Sequence, residues 1–237
     1  MRTVAVVLAG GSGRRFDSSI PKQLRVLAGR NLIEHCVLAF GQAPAVDDVL
    51  VVAAPDISQQ VRRDLAGYRK LADVIAGGAS RTDSTRQALQ WLTARLPDDA
   101  NVLFHDAARP LVDQRTIADC VAALDRFDAI GVVVPSSDTI VEVADGIIRR
   151  TLPRDTLARC QTPQGFRLSV IEAAYRLADA DPAFAAVPAT DDCGVVQRYL
   201  PDVVIAAVAG SERNLKITYT ADLAVAATLL DAADQAD

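Results

Sequence analysis

The stretch VVLAGGSGRRF, residues 6–16, carries a short apolar run into three glycines and two arginines. An apolar run that ends in glycines predicts a buried strand followed by a turn, and arginines at the turn favour an anionic ligand. The two familiar phosphate loops do not fit, because GxxxxGK[ST] has no counterpart here and GxGxxG would need glycine at Phe16. What is left is either a turn of N–H donors and cations, including Lys22, that suits a triphosphate, or a tight turn with solvated cations.

The composition is that of an ordinary globular protein. The chain has 237 residues, 50% hydrophobic and 23% charged, which is enough for one large α/β domain or two small ones. The net charge of −5 speaks against general nucleic-acid binding. No apolar run reaches the roughly 18 residues of a membrane span, and the N-terminus lacks a signal-peptide pattern. We therefore expect a cytoplasmic protein that binds neither nucleic acid nor membrane, with its four scattered cysteines reduced.

Short, almost wholly apolar runs alternate with helical patterns over the first two-thirds of the chain. The candidate strands are 4–8, 49–53, 73–75, 102–104 and 129–134. The candidate helices are 32–40, 57–68, 80–96 and 114–127. This alternation predicts an α/β fold with a doubly wound, mostly parallel sheet. Ligands of such sheets bind at the carboxyl ends of the strands, where the glycine-rich turn and the segment HDAARP (105–110) both fall.

The alternation breaks at SSDTIVEVADGIIRR, residues 136–150, where apolar and polar residues alternate around Asp145-Gly146. This pattern predicts a β-hairpin, which is marginal in water on its own and so favours packing against a second subunit. Helices at 168–178 and 191–199, strands at 203–208 and 215–218, and a helix from 221 complete the prediction. We expect one domain, 1–237, with 136–160 as a protruding dimerisation arm.

Seven short motifs occur in order along the chain: LAGGSGRR…PKQL, GGASRTDS (77–84), HDAARP (105–110), DT (138–139), QTPQGF (161–166), TDD (190–192) and NLKIT (214–218). The set resembles the 2-C-methyl-D-erythritol 4-phosphate cytidylyltransferase family from about residue 3 to about residue 230. The resemblance implies a Rossmann-like nucleotidyltransferase fold and a homodimer joined through the hairpin arm. It implies a reaction in which CTP and a polyol phosphate give a CDP-polyol and pyrophosphate, with Mg2+ as cofactor.

The resemblance also implies roles for individual residues. The implied catalytic residues are Arg15, Lys22, Lys216 and Arg154. The implied CTP-binding residues are Leu8, Ala9, Gly10, Gly11, Ser12, Gly13, Gly78, Ser84, Asp106 and Ala107. The implied polyol-phosphate-binding residues are Asp106, Arg109, Thr139, Arg154, Thr162, Thr190 and Lys216, with Thr139 and Arg154 acting from the neighbouring subunit. No metal ligand is assigned. Taken without the resemblance, GGASRTDS is equally a turn with a helix cap at Ser80 or Asp83. We expect His105 to pack or to form a hydrogen bond to the loop, and not to act in catalysis.

The identity of the acceptor stays open at this point. The family more usually has PAAG where this chain has LAGG, and an acidic residue where this chain has Arg213. LAGG is common in ribitol-5-phosphate cytidylyltransferases, so CDP-ribitol synthesis is the alternative function. A nucleotide-binding protein without turnover and a dinucleotide-dependent oxidoreductase are further alternatives, and the failed GxGxxG pattern speaks against the latter.

Overall fold

A computed structural model of the chain describes residues 1–10 and 21–234. Eleven strands occur in these ranges: β1 Thr3–Ala9, β2 Val26–Leu27, β3 Arg30–Asn31, β4 Asp48–Ala53, β5 Leu71–Ala76, β6 Asn101–Asp106, β7 Ala129–Pro135, β8 Val141–Ala144, β9 Ile147–Thr151, β10 Ala158–Arg167 and β11 Ile205–Ala209. The helices described are α1 Leu32–Gln42, α2 Ser58–Asp64, α3 Arg81–Thr93, α4 Gln114–Leu124, α5 Leu168–Ala180, α6 Asp192–Tyr199 and α7 Thr220–Asp234.

Seven of these strands form one sheet in the order β11-β7-β10-β6-β1-β4-β5. Strand β10 runs antiparallel to both of its neighbours, and the other pairings in the sheet are parallel. The prediction of a mostly parallel α/β sheet is confirmed. Because β1 pairs with β6 so that Leu8 lies opposite Asp106, the end of β1 and the HDAARP segment lie side by side at this edge of the sheet.

Helices cover both faces of the sheet, and strand β1 shows why. Its residues alternate between two buried clusters, so Ala5 and Val7 pack with α1, α2 and α4, while Val4 and Val6 pack with α3, α5 and α6. A strand buried on both faces reads as a continuous apolar run, which is the pattern that the sequence shows.

Side-chain caps fix where the helices begin. Ser80 accepts from the Asp83 N–H and Asp83 accepts from the Ser80 N–H, which forms the capping box of α3 and confirms the predicted cap. Asp191 accepts from the Gly194 N–H and caps α6. Both helices thereby start at the carboxyl end of the sheet. None of the described helices is both long enough and apolar enough to cross a membrane.

The predicted hairpin is present as β8 and β9, joined by Asp145 and Gly146, both at positive φ. Two residues at positive φ are the mark of a tight type I′ turn. The arm is shorter than the predicted 136–160, because Ala158 and Cys160 already pair with β7 in the central sheet.

Two segments differ from the prediction. Residues 215–218 do not form a strand and instead run as an extended segment whose Ile217 N–H donates to the Ala108 carbonyl. Strand β10 was not predicted, because Pro163 and Gly165 argue against a central strand. The register of β10 shifts between Cys160 and Gln164, and this irregularity accommodates the proline within the sheet.

Candidate active site

The Asp106 carboxylate lies at the centre of the site, at the end of β6. Lys216 Nζ lies 2.7 Å from Oδ2, and Arg81 Nε lies 3.2 Å from Oδ1, so each oxygen has its own cation. The side chain is only 13% exposed. Burial on its own would raise the pKa of Asp106, but Arg81 and Lys216 outweigh it and hold that pKa well below its usual range. The group is therefore a fixed anion near neutral pH.

Arg81 connects this anion to a second, deeper carboxylate. Its Nη2 lies 2.8 Å from Oδ2 of Asp192, which is wholly buried in the first turn of α6. Tyr175 and Thr85 donate to the other oxygen of Asp192 at 2.6 and 3.1 Å. Sequence reasoning assigned no role to Arg81 or Asp192, although both stand inside quoted motifs, because only the folded chain shows that they meet.

Thr162 and His105 form the framework behind Asp106. The Thr162 hydroxyl accepts from the Asp106 N–H at 3.1 Å and lies 3.0 Å from His105 Nδ1. The other ring nitrogen of His105 lies 2.9 Å from the Arg109 carbonyl, and its ring meets the edge of Phe40. Burial lowers the pKa of His105 to about 4, so the ring is neutral. The prediction of a packing role for His105 is confirmed.

The Arg109 side chain is anchored to two backbone carbonyls, those of Asn214 at 2.7 Å and Cys160 at 3.3 Å. Asn214 is itself buried and donates to the Thr162 carbonyl at 2.8 Å. These bonds tie the NLKIT segment to β10 and to the end of β6.

A narrow space bounded by glycines surrounds the buried Ser84. A Cβ atom added to Gly10 would lie 2.5 Å from Ser84 Oγ, and one added to Gly77 would lie 2.7 Å from it. One added to Gly78 would lie 2.2 Å from the Asp83 Cβ. Ser84 Oγ donates to the Ser80 carbonyl at 3.0 Å and accepts from the Gly78 N–H at 3.3 Å. The turns after β1 and β5 thus approach the start of α3 as closely as backbone can.

Lys22 reaches the same region from the opposite end of the chain. Its Nζ donates to the Ile217 carbonyl at 2.9 Å, next to Lys216. Two lysines that are far apart in sequence are therefore neighbours at the carboxyl edge of the sheet. Both were predicted as site residues.

The remaining predicted residues divide into three groups. Leu8, Ala9 and Ala107 are buried, and the Ala107 N–H donates to the Leu8 carbonyl. Thr139, Arg154 and Thr190 are exposed, and no hydrogen bond or ion pair in the described ranges joins them to Asp106 or Lys216; Arg154 donates to the Ser137 carbonyl within the arm. The predicted loop residues Gly11, Ser12, Gly13 and Arg15 lie outside the described residues.

An α/β sheet with cations and a buried anion at its carboxyl edge defines a protein that handles phosphorylated ligands at a switch between strands. The family model for 2-C-methyl-D-erythritol 4-phosphate cytidylyltransferase matches residues 3–232. The chain is 48% identical to the 2-C-methyl-D-erythritol 4-phosphate cytidylyltransferase of Thermobifida fusca over 97% of this chain and 93% of that protein. The chain belongs to this family.

Two further relatives extend the comparison. The crystal structure of the 4-diphosphocytidyl-2C-methyl-D-erythritol synthase of Anaerococcus prevotii superimposes with a TM-score of 0.83 at 25% identity, over 97% of this chain and 98% of that one. The bifunctional ribulose 5-phosphate reductase/CDP-ribitol pyrophosphorylase of Haemophilus influenzae is 31% identical over 95% of this chain and 47% of that protein. The predicted family and fold are confirmed.

Proposed function

We propose that this chain transfers the cytidylyl group of CTP to 2-C-methyl-D-erythritol 4-phosphate, which gives 4-diphosphocytidyl-2-C-methyl-D-erythritol and pyrophosphate. The observation that carries the proposal is that Lys22 bonds the carbonyl of Ile217, directly after Lys216, whose own ammonium pairs with Asp106. Two cations near one another suit a transfer that brings two phosphate groups together. A phosphate that attacks another phosphate needs cations on both partners, because their charges repel.

The reaction needs no covalent enzyme intermediate. An oxygen of the acceptor phosphate forms a bond to the α-phosphorus of CTP while the bond from that phosphorus to the β-phosphate bridging oxygen breaks. Pyrophosphate leaves with that oxygen. Positioning and charge neutralisation are what the protein has to supply to such a step.

The two lysines act on different phosphates in this step. Lys22 neutralises the charge that builds on the α-phosphate and the leaving pyrophosphate, together with Arg15. Lys216 holds the acceptor phosphate in line with the α-phosphorus. Asp106, kept ionised by its two cations, is placed to accept hydrogen bonds from ribose or polyol hydroxyls.

Ser84 and the glycines around it form the base subsite of the proposal. Gly10 and Gly78 let the backbone approach Ser84 closely, and backbone groups together with the Ser84 hydroxyl recognise the amino edge of the pyrimidine. The turn of Gly11, Ser12 and Gly13 supplies N–H donors to the phosphates.

Mg2+ is part of the proposal as the partner of the triphosphate. In the described ranges, no group of three or more His, Cys, Asp or Glu side chains could hold a metal ion, and both Asp106 oxygens face cations. The protein side chains described thus do not form a cage of their own. Mg2+ commonly keeps several waters and binds substrate phosphates, so it would enter with CTP and neutralise its charge.

A homodimer completes the site in this proposal. The hairpin presents Val143, Ile147 and Ile148 to solvent, each more than half exposed, and an isolated hairpin of this kind is marginal. A second subunit that covers them would bring Thr139 and Arg154 to the neighbouring acceptor site. We treat 1–237 as one nucleotidyltransferase domain, and its cytoplasmic location stays a prediction from the sequence.

The contacts of Arg213 bear on the identity of the acceptor. Arg213 stands where the family usually has an acidic residue. Its Nη2 donates to the Leu229 carbonyl at 2.7 Å, so the guanidinium of Arg213 is bonded to the C-terminal helix α7. This contact gives Arg213 a packing role, and it supports the methylerythritol acceptor against one of the two sequence differences, LAGG and Arg213, that favoured ribitol phosphate. The methylerythritol relative is also the more similar of the two, at 48% against 31% identity.

Pyrophosphate release is the direct test. The protein would be assayed with CTP and Mg2+, with 2-C-methyl-D-erythritol 4-phosphate and ribitol 5-phosphate compared side by side by kcat/KM. We expect the methylerythritol acceptor to be preferred. Preference for ribitol 5-phosphate would transfer the assignment to CDP-ribitol synthesis, and no release with either acceptor would refute the proposal.

A further inference from the structure

We propose that Arg81 is a positioning residue of the transfer reaction, which fixes the Asp106 carboxylate by anchoring it to the buried Asp192. The inference rests on the proposed function, and it assigns a task to two residues that the proposal leaves unused.

The geometry places one guanidinium between two carboxylates from different elements. Arg81 is the first residue of α3, Asp106 ends β6, and Asp192 begins α6. Nε faces Asp106 at 3.2 Å and Nη2 faces Asp192 at 2.8 Å. A planar fork can hold two anions at a fixed angle, which the single ammonium of lysine cannot do.

The deep end of this bridge is rigid. Asp192 has no exposed surface, its Oδ1 is taken by Tyr175 and Thr85, and its N–H donates to Gln164. Its Oδ2 faces Arg81. Because a buried carboxylate without a compensating cation is strongly unfavourable, Asp192 keeps Arg81 in one position.

The outer end of the bridge then determines where Lys216 lies. The two oxygens of Asp106 are divided between Arg81 and Lys216. If Arg81 were removed, the carboxylate would be free to turn both oxygens toward Lys216. That would draw Lys216 away from the acceptor phosphate and weaken the alignment of the attacking oxygen, and small misplacements of this kind cost up to about 100-fold in rate.

The charge on Asp106 depends on the same bridge. The ionisable groups that face it are Arg81 from α3, Lys216 from the segment before α7, His105 and Arg109 from its own segment, and Cys36 from α1. Without Arg81, the pKa of Asp106 would rise, because burial raises it and the charge of Lys216 would be left to offset that effect without Arg81. Activity would then be lost at a higher pH on the acid side.

The test compares three variants with the wild-type protein. Arg81→Lys keeps the charge but loses the fork. Arg81→Met with Asp192→Asn removes both deep charges together, so that no unpaired charge is buried. Arg86→Ala is the matched control, since Arg86 also lies on α3 and pairs with two carboxylates, Asp83 and Asp179, outside the site. Folding of each variant is checked by thermal unfolding.

We expect both Arg81 variants to lower kcat/KM for the acceptor by about 10- to 100-fold, with the KM for CTP changed less than about threefold. The acid limb of the pH–activity profile moves to higher pH in the variant that lacks the Arg81 charge, Arg81→Met with Asp192→Asn, and Arg86→Ala matches the wild type. Folded Arg81 variants with wild-type kcat/KM and an unmoved acid limb would overturn the inference. Equal losses in Arg86→Ala would overturn it as well, because they would show a general effect on α3.

Titration of the Asp106 carboxyl separates this inference from the proposed function. Its signal in 13C-labelled aspartate is identified by its loss in Asp106→Asn, and its pKa is compared in the wild type and in Arg81→Met with Asp192→Asn, which lacks the Arg81 charge. A higher pKa in the variant supports the bridge even if the wild type fails to release pyrophosphate. An unchanged pKa overturns the bridge even if the wild type is fully active.

Discussion

Replacing Gly10 by alanine should destabilise the protein through a single contact, that with Ser84. The added Cβ would lie 2.5 Å from Ser84 Oγ, whereas Cβ atoms are essentially never found within 3.0 Å of such a neighbour. Gly10 has no left-handed backbone conformation, so the alanine brings no strain of its own at this position. The cost therefore comes from packing alone.

The magnitude follows from the two ways of relieving the contact. If the backbones move apart, overpacking typically costs about 1–3 kcal/mol. If Ser84 rotates instead, it loses its bonds to the Ser80 carbonyl and the Gly78 N–H, at about 1 kcal/mol each. Either route lowers the free energy of unfolding by about 1–3 kcal/mol, and each kcal/mol lowers the Tm of a chain this long by about 2–4 °C.

A double-mutant cycle measured by urea unfolding isolates this contact. Ser84→Ala removes Oγ and leaves the Cβ at an ordinary 3.6 Å, so the double variant should be no less stable than Ser84→Ala alone. The control pairs Gly10→Ala with Thr93→Ala, because Thr93 bonds the carbonyl four residues back on the same helix, far from Gly10. We expect that pair to be additive. Additivity within about 0.5 kcal/mol for the Ser84 pair as well would refute the reasoning.

Three further predictions concern turnover, pH and assembly. Lys22→Ala should lower kcat far more than it weakens CTP binding by calorimetry, because its charge is needed most in the transition state; comparable losses in both would make it a binding group only. His105 stays neutral in the fold with a pKa of about 4, so the unfolded chain binds its proton first as the pH falls below about 6.5. The free energy of unfolding should thus drop by up to about 3 kcal/mol between pH 6.5 and 4, and His105→Gln should remove this part of the pH dependence; an unchanged slope would count against it. Ile148→Lys should give a monomer with low activity in sedimentation and turnover assays, and a fully active monomer would exclude Thr139 and Arg154 from the neighbouring site.

The parallel core of the sheet could be predicted because burial on both faces leaves a clear signal. Strands β1, β4 and β6 each contain a continuous apolar run, and this run ends at a turn or polar motif that marks the carboxyl end of the strand. Strand β10 lacks that signal, since ARCQTPQGFR neither alternates nor stays apolar. Its place between β6 and β7 comes from tertiary pairing, which a local pattern does not encode.

The residues of the candidate site also divide into those that the sequence predicts and those that only the folded chain brings together. Lys22 follows a glycine-rich turn whose residue types suggest an anion site, whereas Asp106, Lys216 and Ser84 were predicted through motifs that resemble those of the family. The Arg81–Asp192 bridge has no such signal, because an arginine after a helix cap and an aspartate in a first turn are both common on exposed helix ends. Only the packing of α3 against α5 and of α6 beside them makes the pair a buried connection to Asp106.

The C-terminal helix belongs to the site for a packing reason. Leu27 in β2 and Leu32, the first residue of α1, form a separate buried cluster with Ile217 and Ala226. The ribbon of β2 and β3 follows Lys22 and helix α7 follows Lys216, so one cluster stands behind both lysines. Long flexible side chains lose rotamer freedom when they are fixed, and a rigid backbone beneath them reduces how much of that cost falls on substrate binding. The bond from Lys22 to the Ile217 carbonyl links the two lysines through this same cluster. The spacing between Lys22 and Lys216, which the proposed function assigns to the nucleotide and to the acceptor, thus depends on apolar packing between the two ends of the chain.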